Sequence, residues 1–105
     1  MSSLKLFPLG LVAYPTKIIP LHIFEDRYKT LINECISLKK EFGMVYSMDN
    51  GFADIGCSLS VSEVVKTYPN GELDIITRGE RLFKIKYLFF RYSNNIINYL
   101  YFILC

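Results

Sequence analysis

A chain of 105 residues, 51% of them apolar, has room for one hydrophobic core and reads as one small domain rather than several. Its formal net charge of +2 is spread out, with no basic run longer than Lys39-Lys40, which argues against a nucleic-acid partner gripped through its phosphates.

The chain opens on Met1-Ser2-Ser3-Leu4-Lys5, which has neither the basic start nor the uninterrupted apolar run of a secretory leader, so a cytoplasmic location is expected. Residues 4 to 23 read as short strands punctuated by Pro8, Pro15 and Pro20. Each proline removes a ladder donor, which confines it to a strand end or edge. At Pro20-Leu21-His22-Ile23-Phe24-Glu25-Asp26-Arg27-Tyr28 the period switches from about two to about 3.6. Proline holds the backbone before it extended, and Glu25 and Asp26 stand where a helix N-terminus favours negative charge. From Asp26 to about Lys39 the apolar positions Tyr28, Leu31, Ile32, Cys35, Ile36 and Leu38 form one face of an amphipathic helix, which should pack against a sheet.

Phe42 to Met48 reads as a short buried strand and Asp49-Asn50-Gly51 as a turn. In the next strand Cys57, Leu59 and Val61 alternate with Ser58, Ser60 and Ser62, and at Glu63-Val64-Val65 the alternation slips by one. The slip predicts a bulge near Ser62 or Glu63 that bends the strand and keeps Val64 inward. Tyr68-Pro69-Asn70-Gly71-Glu72 is a hairpin connection, with Asn-Gly supplying positive backbone angles. Leu73, Ile75 and Thr77 form one face of the returning strand. Gly79 is expected to break it, with Gly79-Glu80-Arg81 a turn whose Arg81 pairs with a carboxylate such as Glu25. Phe83, Ile85 and Tyr87 start another alternation. The picture is a mainly β fold with one α-helix.

After Lys86 the composition changes. Seven of the sixteen Phe and Tyr residues fall between Tyr87 and Cys105, with Arg91 the sole charge, and this sets residues 87–105 apart from residues 1–86 as an atypical apolar tail. Ile96 to Cys105 is too short for a membrane span, which needs about 20 residues. Tyr99 to Leu104 lacks charged gatekeepers and is an aggregation hazard unless it pairs into the sheet.

The corner at residues 20–28 resembles the N-terminal, substrate-binding domain of the ATP-dependent Lon proteases, a module that also occurs as small stand-alone proteins. Further blocks follow in the family's order: Leu6-Phe7-Pro8-Leu9 and Tyr14-Pro15 before it, then Phe42-Gly43-Met44-Val45, Ile55-Gly56-Cys57, Pro69-Asn70-Gly71 and Arg78-Gly79-Glu80-Arg81-Leu82-Phe83-Lys84-Ile85 after it. The resemblance covers residues 4 to 86 and implies a PUA-like pseudo-barrel of antiparallel strands that binds unfolded or partner polypeptides, freely or in support of a separately encoded protease. The family continues with more strand and, in longer members, a helical lobe. Residues 87–105 show neither pattern, and a truncated or frame-shifted end is the expectation.

Catalysis is not expected. His22 is the single histidine, and a lone His beside Leu21 and Ile23 is ordinarily a hydrogen-bonded structural residue. No second ligand stands at metal-binding spacing, the three cysteines Cys35, Cys57 and Cys105 form no Cys-x-x-Cys pair, and neither a phosphate-binding loop nor the Ser/Lys protease segment of Lon is present. Reduced, buried thiols are the simplest reading. No cofactor is implied.

Candidate polypeptide contacts are Phe24 and Phe52, aromatics at element ends, with His22, Arg27, Tyr28 and Arg81 bordering a groove at the strand-to-helix corner. Arg27 and Tyr28 have a second reading, as residues that lock the helix onto the barrel. Two alternatives to polypeptide binding stay open. One is a PUA-like RNA-binding module, which requires Lys66, Arg78, Lys84 and Lys86 to cluster on one sheet face. The other is a truncated remnant without activity of its own.

Overall fold

The computed structural model describes residues 3–9, 12–48, 51–84, 87–93 and 96–103, with side-chain positions for residues 12–45 and 55–84. Its elements are β1 (Ser3–Leu9), β2 (Ile18–Ile23), α1 (Asp26–Leu38), β3 (Phe42–Met48), β4 (Gly51–Thr67), β5 (Leu73–Lys84), β6 (Tyr87–Ser93) and β7 (Ile96–Ile103). The seven strands form one sheet in the order β2-β5-β4-β3-β1-β7-β6. The expected mainly antiparallel sheet with one helix is present, with a single parallel pair inside it, Leu6 to Leu9 of β1 beside Gly43 to Tyr46 of β3. A parallel neighbour needs a crossover, and β2 with α1 supplies it.

The helix starts where the charge pattern predicts. Glu25 is its N-cap in extended conformation, and its carbonyl accepts from the amides of Tyr28 (3.0 Å) and Lys29 (2.9 Å). Lys39, with φ 53, ends it in the left-handed region, and the Lys40 amide donates back to the Cys35 carbonyl at 3.0 Å. This reverse bond satisfies a carbonyl the helix end would otherwise orphan. Leu31, Ile32 and Cys35 are buried, whereas Ile36 and Leu38, expected on the same face, are exposed. The buried stripe therefore ends at Cys35, and the residues after it face solvent.

The core lies between α1 and one face of the sheet, where Leu31, Ile32 and Cys35 meet Ile19, Ile23, Leu59 and Ile75. Each such apolar side chain contributes about 1.5–3 kcal/mol on burial. Val45 and Phe83 are also buried. The register places them on the opposite face, together with Gly56 and Ser58, so the middle of the sheet is covered on both sides.

Strand β4 bends as the slipped alternation predicts. Its register against β5 shifts between Val61 and Glu63, and again between Ser58 and Leu59 and between Val64 and Lys66. Val64 comes to stand opposite the buried Ile75, on the core side, yet remains 40% exposed because the end of α1 covers it only in part. At the hairpin, the Gly71 amide donates to the Tyr68 carbonyl at 2.9 Å, and Gly71 alone takes a positive φ, of 88°. Asn70 does not share the positive angle expected of it; its side chain instead bonds Glu72, accepting from the Glu72 amide at 3.0 Å. The Asp49-Asn50 part of the predicted turn lies outside the described residues, and Gly51 opens β4.

Gly79 does not end its strand. Strand β5 runs through it, and the irregularity expected there is a bulge, with Glu80 the extra residue between the pairs Leu59↔Gly79 and Ser58↔Arg81. The glycine has a packing reason: a Cβ at this position would lie 2.0 Å from the Tyr14 carbonyl oxygen. The loop closes over it through Thr16 N–H to Gly79 O and Gly79 N–H to Lys17 O, both 2.9 Å. Strands β6 and β7 carry the sheet into the segment set apart by composition, with Ile103 to Leu100 of β7 beside Ser3 to Leu6 of β1. Tyr99 to Ile103 thus pairs rather than standing as a free apolar segment.

Gly79→Ala is expected to destabilise the fold by roughly 2–3 kcal/mol, since the loop carbonyl must move. A thermal melt should show a midpoint lowered by on the order of 10 °C, and an unchanged midpoint would mean that the Tyr14 loop is not seated. Ending the chain after Lys86 removes β7 from the flank of β1, so the shortened protein should melt earlier and associate through the opened edge. Size-exclusion chromatography at several concentrations measures this, with a monomer of full-length stability as the contrary result.

Candidate functional site

The pleat of β2 turns Ile19 and Ile23 into the core and leaves His22 on the outside, and the chain leaves the strand with Phe24 on that same side. The two rings stack with centroids 6.1 Å apart and planes 22° from parallel, and Phe24 is 62% exposed. The antiparallel register sets His22 opposite Asp74 at the start of β5. Its Nδ1 lies 2.6 Å from Asp74 Oδ1 and its Nε2 2.8 Å from Glu72 Oε1. The other Asp74 oxygen accepts from the Tyr68 hydroxyl at 2.6 Å, and the Tyr68 ring meets the imidazole edge-on at 5.6 Å. Lys66 Nζ stands over that ring, 4.5 Å from its centroid.

These contacts set the charges. The hydrogen bond to Asp74, then that to Glu72, raises the His22 pKa above its ordinary 6.5. Asp74 is pulled below its ordinary value, first by the Tyr68 hydroxyl and then by His22, and the Tyr68 phenol is pushed up, chiefly by its bond to Asp74. A general base needs a free lone pair, and here both ring nitrogens are occupied by carboxylates. The arrangement is an ion cluster that ties the β4–β5 hairpin to the end of β2. The reading of His22 as a hydrogen-bonded structural residue agrees with it.

Arg27 and Tyr28 lie one turn further on. The Arg27 guanidinium sits 4.7 Å from the Tyr28 ring centroid and reaches Glu25 at 3.4 Å. Tyr28 is half-buried against the core, and burial pushes its phenol up. His22, Phe24, Arg27 and Tyr28 therefore form one corner. Arg81 does not join them: it pairs with Glu41 at 3.3 Å rather than with Glu25. Seven residues of strand separate it from Asp74, a distance of roughly 20 Å. The Phe52 side chain lies outside the described residues. Asp74, Glu72 and Tyr68 were not legible as partners of His22, because the only signal is a strand pairing across some fifty residues.

A second concave surface runs between the end of α1 and β4, about 450 Å³ in volume, with Ile36, Lys39 and Lys40 on one wall and Val61, Glu63 and Val64 on the other. The β3–β4 ladder stops at Phe42↔Leu59, so among the described strands none pairs with that side of Ser60 to Thr67. At the other end of the sheet, β2 also has an open side, but Pro20 stands in the middle of it.

The basic residues required for an RNA-binding face are split. Lys66 stands opposite Asp74 on the face that carries Arg78, while the bulge at Glu80 turns Lys84 to the other face. Lys86 lies outside the described residues. Among the described residues no group of three or more His, Cys, Asp or Glu is placed to hold a metal ion, and no helix is long and apolar enough to cross a membrane. Cys35 and Cys57 are buried and form no disulfide, and burial raises the Cys57 thiol pKa.

Among solved structures, the chain is similar over its whole length to a Lon N-terminal domain protein from Xanthomonas campestris, with 28% identity and a TM-score of 0.82, covering 59% of that chain. It also shares the fold of the N-terminal domain of Mycobacterium avium complex Lon protease, at 13% identity and a TM-score of 0.70 over 99% of this chain and 54% of that one. The chain thus spans less than two thirds of either structure. The family model for the ATP-dependent protease La (LON) substrate-binding domain matches residues 3–97, and the chain belongs to that family.

Proposed function

We propose that the chain is a non-catalytic module that binds unfolded or partner polypeptides through the corner formed by His22, Phe24, Arg27 and Tyr28. The observation that carries this reading is Phe24, a large aromatic side chain left 62% exposed at an element end and held in place by stacking on His22. Aromatic anchors dominate the energetics of protein contacts, and a ring held at an element end is placed to act as one. Arg27, paired with Glu25 and stacked on Tyr28, borders the same corner. Membership of a substrate-binding family supports the choice of polypeptide as ligand.

The reading extends to Phe52 and Arg81 as outlying contacts of a longer polypeptide, and to delivery of the bound chain to a separately encoded protease. The groove beside Ser60 to Thr67 gives an extended segment a further place to lie, since an unpaired strand edge offers backbone donors and acceptors in a row. A cytoplasmic setting is part of the proposal, supported by the buried Cys35 and Cys57, which form no disulfide.

Phe24→Ala should weaken binding of fluorescein-labelled, reduced and carboxymethylated lactalbumin about fivefold, as loss of a modest aromatic anchor does. Because the side chain is exposed, the thermal midpoint should stay within a few degrees of the parent's. Anisotropy titration measures the affinity, and a variant that binds as tightly as the parent would remove Phe24 from the contact surface.

A further inference from the structure

His22 faces two groups that can only accept. Glu72 Oε1 and Asp74 Oδ1 are carboxylate oxygens, and they approach opposite nitrogens of one ring at 2.8 and 2.6 Å. A neutral imidazole carries one N–H, so it satisfies one of these contacts and turns a lone pair toward the other. The imidazolium carries two and satisfies both. The observed geometry is therefore that of the cation.

The two carboxylates belong to the β4–β5 hairpin tip and the ring belongs to β2, so the proton on His22 decides whether the tip is held at two points or one. Every other neighbour is already committed. Tyr68 bonds the second oxygen of Asp74, the Asn70 side chain donates to the second oxygen of Glu72, and Lys66 attracts Asp74 from β4. Helix α1 brings Lys29 to the Asn70 carbonyl at 3.1 Å, which ties the tip through the backbone and not through the ring. Phe24 stacks on the imidazole and adds no charge.

We propose that His22 is a proton-operated latch for the polypeptide-binding corner: the imidazolium fastens the hairpin tip to the end of β2 and fixes Phe24 in its stacked position, and loss of the proton to solvent loosens both and weakens binding. The latch rests on the reading of Phe24 as a polypeptide contact. Its direction with pH follows from the charges. The His22 pKa is raised above its ordinary 6.5 in the folded chain, so the latch is fully set below 6.5 and opens as pH rises through the folded value. Asp74, held below its ordinary 3.8, stays a carboxylate throughout that range and gives up its contribution only as pH falls through its depressed value.

The single histidine makes the test direct, since one ring signal reports its state. In the full chain, the His22 ring resonances should titrate above 6.5, and the amide signals of Gly71 and Ile23 should follow the same curve. Affinity for labelled, reduced and carboxymethylated lactalbumin should fall about threefold across that titration, the scale of an exposed ion pair. His22→Gln should bind at the weaker level at every pH, and Glu72→Gln should lower the pH at which the ring titrates. A ring that titrates at or below 6.5, or Gly71 and Ile23 signals that ignore it, overturns the latch. Binding that stays equally tight across the titration overturns the control of binding alone, whereas a chain that binds no polypeptide at any pH overturns the polypeptide-binding reading and, with it, the latch as its regulator.

Discussion

Strand β5 carries two ladders at once, to β2 on one side and to β4 on the other, and the two meet at Thr77. Opposite Ile19 in one ladder and Val61 in the other, Thr77 is fully buried, and its hydroxyl donates to the Ile19 carbonyl at 2.7 Å. A buried hydroxyl without a partner costs more than the bond returns, so this contact selects the register as much as it stabilises it. A slip by one residue would turn Leu73, Ile75 and Thr77 to the solvent side and carry Asp74 into the core. The position of Asp74 opposite His22 is thus a consequence of the Thr77 register. The corner is assembled by the same constraint that seats the helix.

Gly79 extends that constraint to the loop before β2. With no Cβ, it lets the Tyr14 carbonyl approach the strand, and the Thr16 and Lys17 backbone then completes hydrogen bonds that a longer β2 would otherwise have made. At the next residue the bulge, Glu80, reverses the pleat. The reversal buries Phe83 on the face opposite Leu59 and puts Arg81 within reach of Glu41. One extra residue therefore accounts for both the second buried face and the absence of Arg81 from the corner at Glu25.

Local signals were legible where local physics decides. The three-and-four spacing and the acidic start of α1, the Pro69-Asn70-Gly71 connection, and the slipped alternation after Val61 each state their structure within a few residues. What was hidden depends on pairing across distance. That β2 lies beside β5, that β1 runs parallel to β3, and that Gly79 meets Tyr14 are set by the closure of the whole sheet. Phe24 was legible as an aromatic at an element end, but its stacking on His22 depends on the corner closing. The partners of His22 were illegible for the same reason. In residues 87–103 the apolar, aromatic composition masked two strands, because neither shows the clean alternation that a strand with one wet face displays.

The ion cluster also explains why a corner that gathers a histidine, three carboxylates, an arginine and two tyrosines leaves no free lone pair on its imidazole. Catalytic acids and bases are kept partly unsatisfied, with a lone pair or proton aimed at an open space. Here each polar group is answered by a neighbour: His22 by Glu72 and Asp74, Asp74 by Tyr68, Glu72 by Asn70, and Arg27 by Glu25. What remains unanswered at the surface is apolar, the face of Phe24. A surface whose charges are paired internally and whose exposed remainder is aromatic discriminates little between sequences, since every unfolded chain presents apolar groups and none needs to match a fixed charge. In the polypeptide-binding role proposed above, breadth of that kind would suit many partners better than a single one.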